Sequence, residues 1–240
     1  MSKISEILTK TSHRPWELPK DPWKYYQEWN HALFFHWAFP CDLIRPLIPP
    51  KLKLDTFEGQ AYVSLVAFTM QNIRPQYLPS IKAISDFHEI NLRTYVTNDG
   101  KNGVYFLNIE AGKLLSTIIA KSLSGLPYEK ATISRTNEHY HSKYQLKGFY
   151  LVIKFSMGAS FKDNTKLDRW LTERYCLYLD QNEKLFRYDI HHKEWPLKNM
   201  EIIHFDLDYQ IGEMTLQHDQ LLLAHYSDGV EVIAWKKQEI

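Results

Sequence analysis

Glu89, Asn91, Arg93 and Tyr95 alternate with Ile90, Leu92, Thr94 and Val96. In an extended strand that spacing sets four hydrogen-bonding side chains on one face and mostly apolar ones on the other. A guanidinium fork at Arg93 suits a carboxylate or phosphate. Glu89, on the same face, would either orient that fork or, if desolvated, titrate with a raised pKa as an acid or base. The same residues also fit an internal salt bridge that satisfies only its own members. Residue types alone do not choose between a site and a scaffold here.

Further candidates lie downstream. Tyr128 offers a hydroxyl to a ligand, or to a nearby carbonyl as a barrel-lining tyrosine. Lys130 shares its strand parity and is the amine to consider for covalent chemistry. Glu173-Arg174, in a helical pattern, reads as a solvated polar pair or as a pair facing a cavity. His191 and His192 are adjacent, so only one imidazole of the two can face a ligand along a strand. No metal is expected, because no H-x-x-x-H or C-x-x-C spacing is present and His31, His36, His139 and His141 fit surface or core-capping roles. Cys41 and Cys176 read as small apolar residues, and Ser64, Ser124 and Ser134 lack a nucleophile-elbow context.

Several elements must position these groups. Asn98-Asp99-Gly100 supplies turn chemistry after the polar strand, and Val104 to Ile109 returns as its partner. From Ala111 the period becomes helical through Leu123, with Gly125 and Pro127 as the stop, and the chain extends again over Leu126 to Ser134. A second helix is expected over Thr165 to Tyr175, and one or two helical turns over Asp42 to Leu47. Strands are expected over Asn30 to Phe39, Ala61 to Met70, Tyr150 to Met157, Ile202 to Asp206 and Leu221 to Trp235, with a hairpin joining Cys176–Leu179 to Leu185–Ile190. In the first of these, His31, Phe34 and His36 do not share a parity. Asn72 to Asp86, with Pro75 and Pro79, reads as a loop that forms a flap over the polar strand. Residues 13–29 hold three prolines and three tryptophans and read as an extended aromatic arm, while residues 1–12 read as a loosely docked terminus.

The segments E-x-N-x-R-T-Y-V, G-V-Y-F and L-P-Y, together with LFFHW at Leu33–Trp37, IRPLIPPKLKL at Ile44–Leu54, Asp55, Gly59-Gln60-Ala61, TERY at Thr172–Tyr175, His191-His192 and Trp195-Pro196-Leu197, resemble the YqjF-like family of uncharacterised bacterial proteins. The likeness runs from Ser12 to Leu197. That family is distantly similar to acetoacetate decarboxylase, and the resemblance implies its cone-like β-barrel. It also implies a lost reaction. In the decarboxylases the reactive lysine directly follows the matching proline and a second lysine depresses its pKa, whereas here Tyr128 and Glu129 follow Pro127. A neighbouring carboxylate stabilises an ammonium, so Schiff-base chemistry is not expected.

The fold class expected is therefore mainly β with two or three short helices (α+β), an antiparallel barrel or cone, in one domain over residues 1–240. With 29 Lys and Arg against 28 Asp and Glu, the formal charge of +1 gives no field toward nucleic acid or an anionic membrane. Two cysteines make no disulfide framework, and no signal peptide or long apolar span is seen, so a cytoplasmic protein is expected, and the resemblance implies a bacterial one. Aromatics at 14% suit a barrel that is lined instead of solidly filled. The expected partner is a small anionic or carbonyl-bearing molecule, with no cofactor. Ligand-binding residues would be Glu89, Asn91, Arg93, Tyr128, Glu173, Arg174 and His191. The other class is an enzyme on a keto or aromatic acid, with Glu89 or Lys130 as the catalytic group. The aromatic arm and sheet edges are compatible with self-association.

Overall fold

The computed structural model describes residues 3–113 and 125–240. The helix expected from Ala111 to Leu123 falls outside the described residues from position 114 onward, and Ala111 itself ends a strand. The elements, in chain order, are α1 (Lys3–Thr9), β1 (Tyr25–Phe39), α2 (Cys41–Ile44), β2 (Lys53–Leu54), β3 (Ala61–Pro75), α3 (Lys82–Ser85), β4 (Phe87–Asn98) and β5 (Lys101–Ala111). After the undescribed stretch come β6 (Tyr128–Lys130), β7 (Thr132–Arg135), β8 (His139–Tyr144), β9 (Phe149–Ser160), α4 (Lys166–Thr172), β10 (Cys176–Gln181) and β11 (Lys184–His191). The chain ends with β12 (Leu197–Asp208), β13 (Gln210–Ile211), β14 (Met214–Thr215), β15 (Leu223–Ala234) and β16 (Gln238–Glu239).

The strands β1, β3, β4, β5, β10, β11 and β15 pair in that order, and β15 pairs with both β11 and β1, so the ladder closes on itself. Every join is antiparallel except the short parallel contact of β5 with β10. From β15 the sheet continues through β12, β9, β8 and β7, which fold back over the outside of β1, β3 and β4. Those three strands are therefore covered on both faces. Ala32, Phe34, Tyr62, Val66 and Phe68 pack inside the ring, while Leu33, Phe35, Val63, Leu65 and Ile90 pack against the outer layer.

The irregular parity at the start of β1 has a local cause. His31 adopts a φ of 55°, and the pairing with β3 shifts between Asn30 and Leu33, which marks a bulge that turns the later residues over. Several expected boundaries move. β1 already begins at Tyr25, so Tyr25 to Trp29 of the expected arm are strand, and β12 begins at Leu197. β3 runs on to Pro75, because Arg74 and Pro75 pair with Tyr26 and Tyr25, so the loop over the polar strand is shorter and includes the helical turn α3. α4 opens with a capping box between Thr165 and Asp168 but stops at Thr172, where Glu173 leaves helical geometry. The first residues are more firmly held than a loose terminus: Ile7 of α1 is fully buried against Tyr26, Ile233 and Trp235.

Closure of the ring depends on close backbone approach at Gly103. A Cβ there would lie 2.5 Å from the Cys176 carbonyl oxygen and 2.6 Å from its sulfur. Gly103→Ala is expected to lower stability by about 1–3 kcal/mol through overpacking, measured as a reduced midpoint in urea unfolding.

Candidate functional site

Inside the ring lies a cavity of about 300 Å³, the lower end of the range for small-molecule sites. Its walls are largely aromatic and aliphatic, with Trp29, Phe34, Phe68, Phe106, Leu177 and Trp195 among them. Residues Arg74, Leu78, Pro79 and Ile81 bring the flap to one side of it, and Leu78 and Ile81 remain largely exposed. The flap base is tied by Asp86 Oδ1, which accepts from the Asn72 backbone N–H at 3.1 Å and from Ser85 Oγ at 2.6 Å.

The polar face of β4 looks into this space. Glu89, Asn91 and Arg93 line the cavity and are buried, and Tyr95 lies beyond them, fully buried. Glu89 does not pair with Arg93. Its carboxylate accepts from Asn91 Nδ2 at 3.0 Å and from the Tyr128 hydroxyl at 2.9 Å. Burial pushes the Glu89 carboxyl up to about 7, although both hydrogen bonds pull it back toward the ionised form.

Arg93 donates from Nη2 to the Leu171 carbonyl at 3.3 Å and lies over the rings of Phe34 and Tyr95. Among the described residues no carboxylate lies within ion-pair distance of it. Arg174 also lines the cavity, but its charge is matched by Asp55 at 2.6 Å. Four buried polar atoms of cavity residues have no protein partner: Trp29 Nε1, Asn91 Oδ1, Arg93 Nε and Arg174 Nη2. These atoms are shut inside the cavity wall and not presented at its surface, so they measure how tightly the wall is packed.

Below Arg93 the barrel floor is braced by a buried chain of contacts. The Tyr95 hydroxyl donates to the same Leu171 carbonyl at 2.9 Å and lies 2.5 Å from Ser64 Oγ. Ser64 Oγ is 2.6 Å from His36 Nδ1, His36 Nε2 is 3.3 Å from His225 Nδ1, and His225 Nε2 is 2.9 Å from Asp168 Oδ1. Ser64, His36 and His225 do not line the cavity, so the chain acts by fixing α4, and with it the Leu171 carbonyl, beneath Arg93.

The remaining expected residues divide. Tyr128 lines the cavity. Glu173 stands behind the wall, where it accepts from the Tyr175 hydroxyl at 2.5 Å and the Trp195 backbone N–H at 2.8 Å, and burial pushes it up to about 7. His191 turns outward to the Ile7 carbonyl at 3.0 Å, and the cavity is lined instead by His192, which burial holds down at about 3. Lys130 is exposed at the end of the short β6: it does not follow Tyr128 into the cavity, and its ammonium donates to the Gly112 and Ala131 carbonyls. Among the described residues no group of three or more His, Cys, Asp or Glu could hold a metal. Trp29, Phe34, Phe68 and Trp195 are among the lining residues that sequence reasoning did not assign to the site; only the aromatic excess hinted at them.

The closed ladder with its inner cavity is an acetoacetate decarboxylase-like fold. An acetoacetate decarboxylase-like enzyme from Sphingomonas wittichii RW1 superposes with a TM-score of 0.59 at 13% identity, covering 94% of this chain and 96% of that one. The enduracididine biosynthesis enzyme MppR gives 0.59 at 11% identity, covering 93% and 89%, and acetoacetate decarboxylase from Legionella pneumophila gives 0.58 at 12%, covering 99% and 94%. The chain belongs to the DUF2071 family of uncharacterized conserved proteins, whose model matches residues 26–231. It is also 35% identical over 230 residues to the uncharacterized protein YqjF of Bacillus subtilis (strain 168), spanning 91% of this chain and 93% of that protein.

The raised carboxyl of Glu89 makes folding stability depend on pH. The unfolded chain loses this proton near 4.5 and the folded chain near 7, so stability falls as pH rises through that window and is flat above it. A shift of that size corresponds to up to about 3 kcal/mol. Glu89→Gln is expected to remove this share, read as the difference between variant and wild type in urea titrations between pH 4.5 and 7; Glu110 and Glu173, also pushed up to about 7, act in the same sense, and His191 and His192, held down at about 4 and 3, act against it.

Proposed function

We propose that this protein binds a small anionic or carbonyl-bearing organic molecule in the barrel cavity, with Arg93 as its anchor and no Schiff-base chemistry. The observation that carries this reading is a buried arginine, 8% exposed, beside a partly open cavity and without a carboxylate partner among the described residues. Leaving a buried charge unpaired is costly, and an anion in the cavity would remove that cost. The apolar walls would take the rest of the molecule, and Asn91, Tyr128 and Arg174 would orient it. Glu173 and His191 have no direct part in this reading.

Two observations support the loss of decarboxylase chemistry. Lys130 is exposed, and no lysine among the described residues lines the cavity. MppR, a fold neighbour, is described in complex with pyruvate, and a small carboxylate in this chain's cavity is in keeping with that. No described helix is long and apolar enough to cross a membrane. With Cys41 and Cys176 both free, a reducing cytoplasm and a single domain are the setting we propose.

A second reading, an enzyme acting on a keto or aromatic acid, is favoured by one feature. Glu89 is poised near neutrality and held by Tyr128 at the cavity wall, as an acid or base would be.

In a thermal-shift screen of organic acids, wild-type protein is expected to gain several degrees with a bound carboxylate, and Arg93→Met to lose that gain while keeping most of its unliganded stability. Destabilisation of the variant with no acid stabilising the wild type would point to a structural arginine. Borohydride with a keto acid is expected to leave the protein mass unchanged; a mass-shifted Lys130 would restore amine chemistry.

A further inference from the structure

The chain of contacts in the barrel floor is one hydrogen short. Both of its ends only accept: the Leu171 carbonyl at one, and at the other the Asp168 carboxylate, which also takes two hydrogens from Thr165. Between them Tyr95, Ser64 and two neutral imidazoles bring four hydrogens to five links, running from Leu171–Tyr95 to His225–Asp168.

The place of the missing hydrogen follows from the two ends inward. Tyr95 donates to Leu171 at 2.9 Å, so its oxygen accepts from Ser64 at 2.5 Å, and Ser64 in turn accepts from His36 Nδ1–H at 2.6 Å. From the other end, Asp168 accepts from His225 Nε2–H at 2.9 Å. His36 Nε2 and His225 Nδ1 are then both bare, and they face each other at 3.3 Å, the longest of the five contacts. Both rings are buried, and at that separation no water fits between the two nitrogens.

We infer that His36 and His225 together store a single proton: the first fills the gap as an N–H···N bond, and a second is refused because two N–H groups would then point at each other. The carboxylate that matches the added charge is Asp168, on α4. Arg93, on β4, opposes it, and so does the charge of either ring on the other. Arg174, which lies over the Tyr95 ring, is already matched by Asp55. The remaining neighbours of the two rings are uncharged: Ser64 from β3, Phe34 from β1 and Phe161 beyond β9. Burial holds both imidazoles below their ordinary range, so the gap is empty at neutral pH and fills on acidification. Filling it joins α4 and β15 by hydrogen bonds to β1, β3 and β4, which tightens the floor beneath Arg93.

The test is NMR of the full chain labelled with 15N-histidine, the two residues being assigned by the signals lost in His36→Gln and His225→Gln. At neutral pH the rings are expected in opposite tautomers, Nδ1–H for His36 and Nε2–H for His225. On acidification of the folded protein the pair is expected to take up one proton in total. Nε2–H at His36, a full proton on each ring, or no uptake before unfolding would overturn the inference. Asp168→Asn provides a second reading, because its amide keeps an acceptor for Thr165 and brings the fifth hydrogen without charge. In that variant His225 is expected as the Nδ1–H tautomer and the uptake is lost; an unchanged titration would overturn the inference. Should the variant fail to fold, the wild-type spectra decide alone.

Discussion

A guanidinium buried in a protein interior must be met by hydrogen-bond acceptors and by negative charge, and Arg93 has only part of the first. It has one backbone carbonyl, two aromatic faces and no carboxylate among the described residues. The nearest chemical solution within the same strand, Glu89, is turned to Asn91 and Tyr128 instead. The arrangement keeps a positive pole and a near-neutral carboxyl apart on one wall of a cavity whose other walls are apolar. Its sense comes from that separation.

The rest of the fold serves to hold the wall still. β4 is clamped between β3 and β5 in the ring, and its outer face is covered by the second layer, where the Tyr140 hydroxyl donates to the Glu89 carbonyl at 2.9 Å. Underneath, the contacts from Tyr95 through Ser64, His36 and His225 to Asp168 fasten α4 to four different strands. α4 in turn presents the Leu171 carbonyl that Arg93 and Tyr95 share. A floor so tied cannot easily give way when the cavity fills, which favours a preformed site over one that closes around its ligand.

Alternation in the polar strand made Glu89, Asn91 and Arg93 legible before any coordinates, because a strand with four polar side chains on one face is rare in a core. The flap was legible from its prolines, and so were the helical turns near Asp42; the turn α3 inside the flap was not. Other features were hidden for physical reasons. The bulge at His31 breaks period 2, so the inward set of β1 could not be counted from sequence. His191 and His192 sit at the end of β11, where strand parity lapses, and which of the two faces inward was settled by α1 capturing His191. Lys130 has the parity of Tyr128 but not its burial, because β6 is only three residues long and its last side chain is drawn to the Gly112 and Ala131 carbonyls. Ser64, His36 and His225 are far apart in the chain and form a network only through tertiary packing, which no local spacing announces.

The most direct test of the anion-anchor account is a crystal structure of the protein soaked with 3-phenyllactate near neutral pH. The account predicts the carboxylate within about 3 Å of the Arg93 guanidinium, and the ring among Phe34, Phe68 and Trp195. A cavity holding only water, or a ligand seated with its carboxylate toward Arg74 at the flap and its ring toward Arg93, would contradict it.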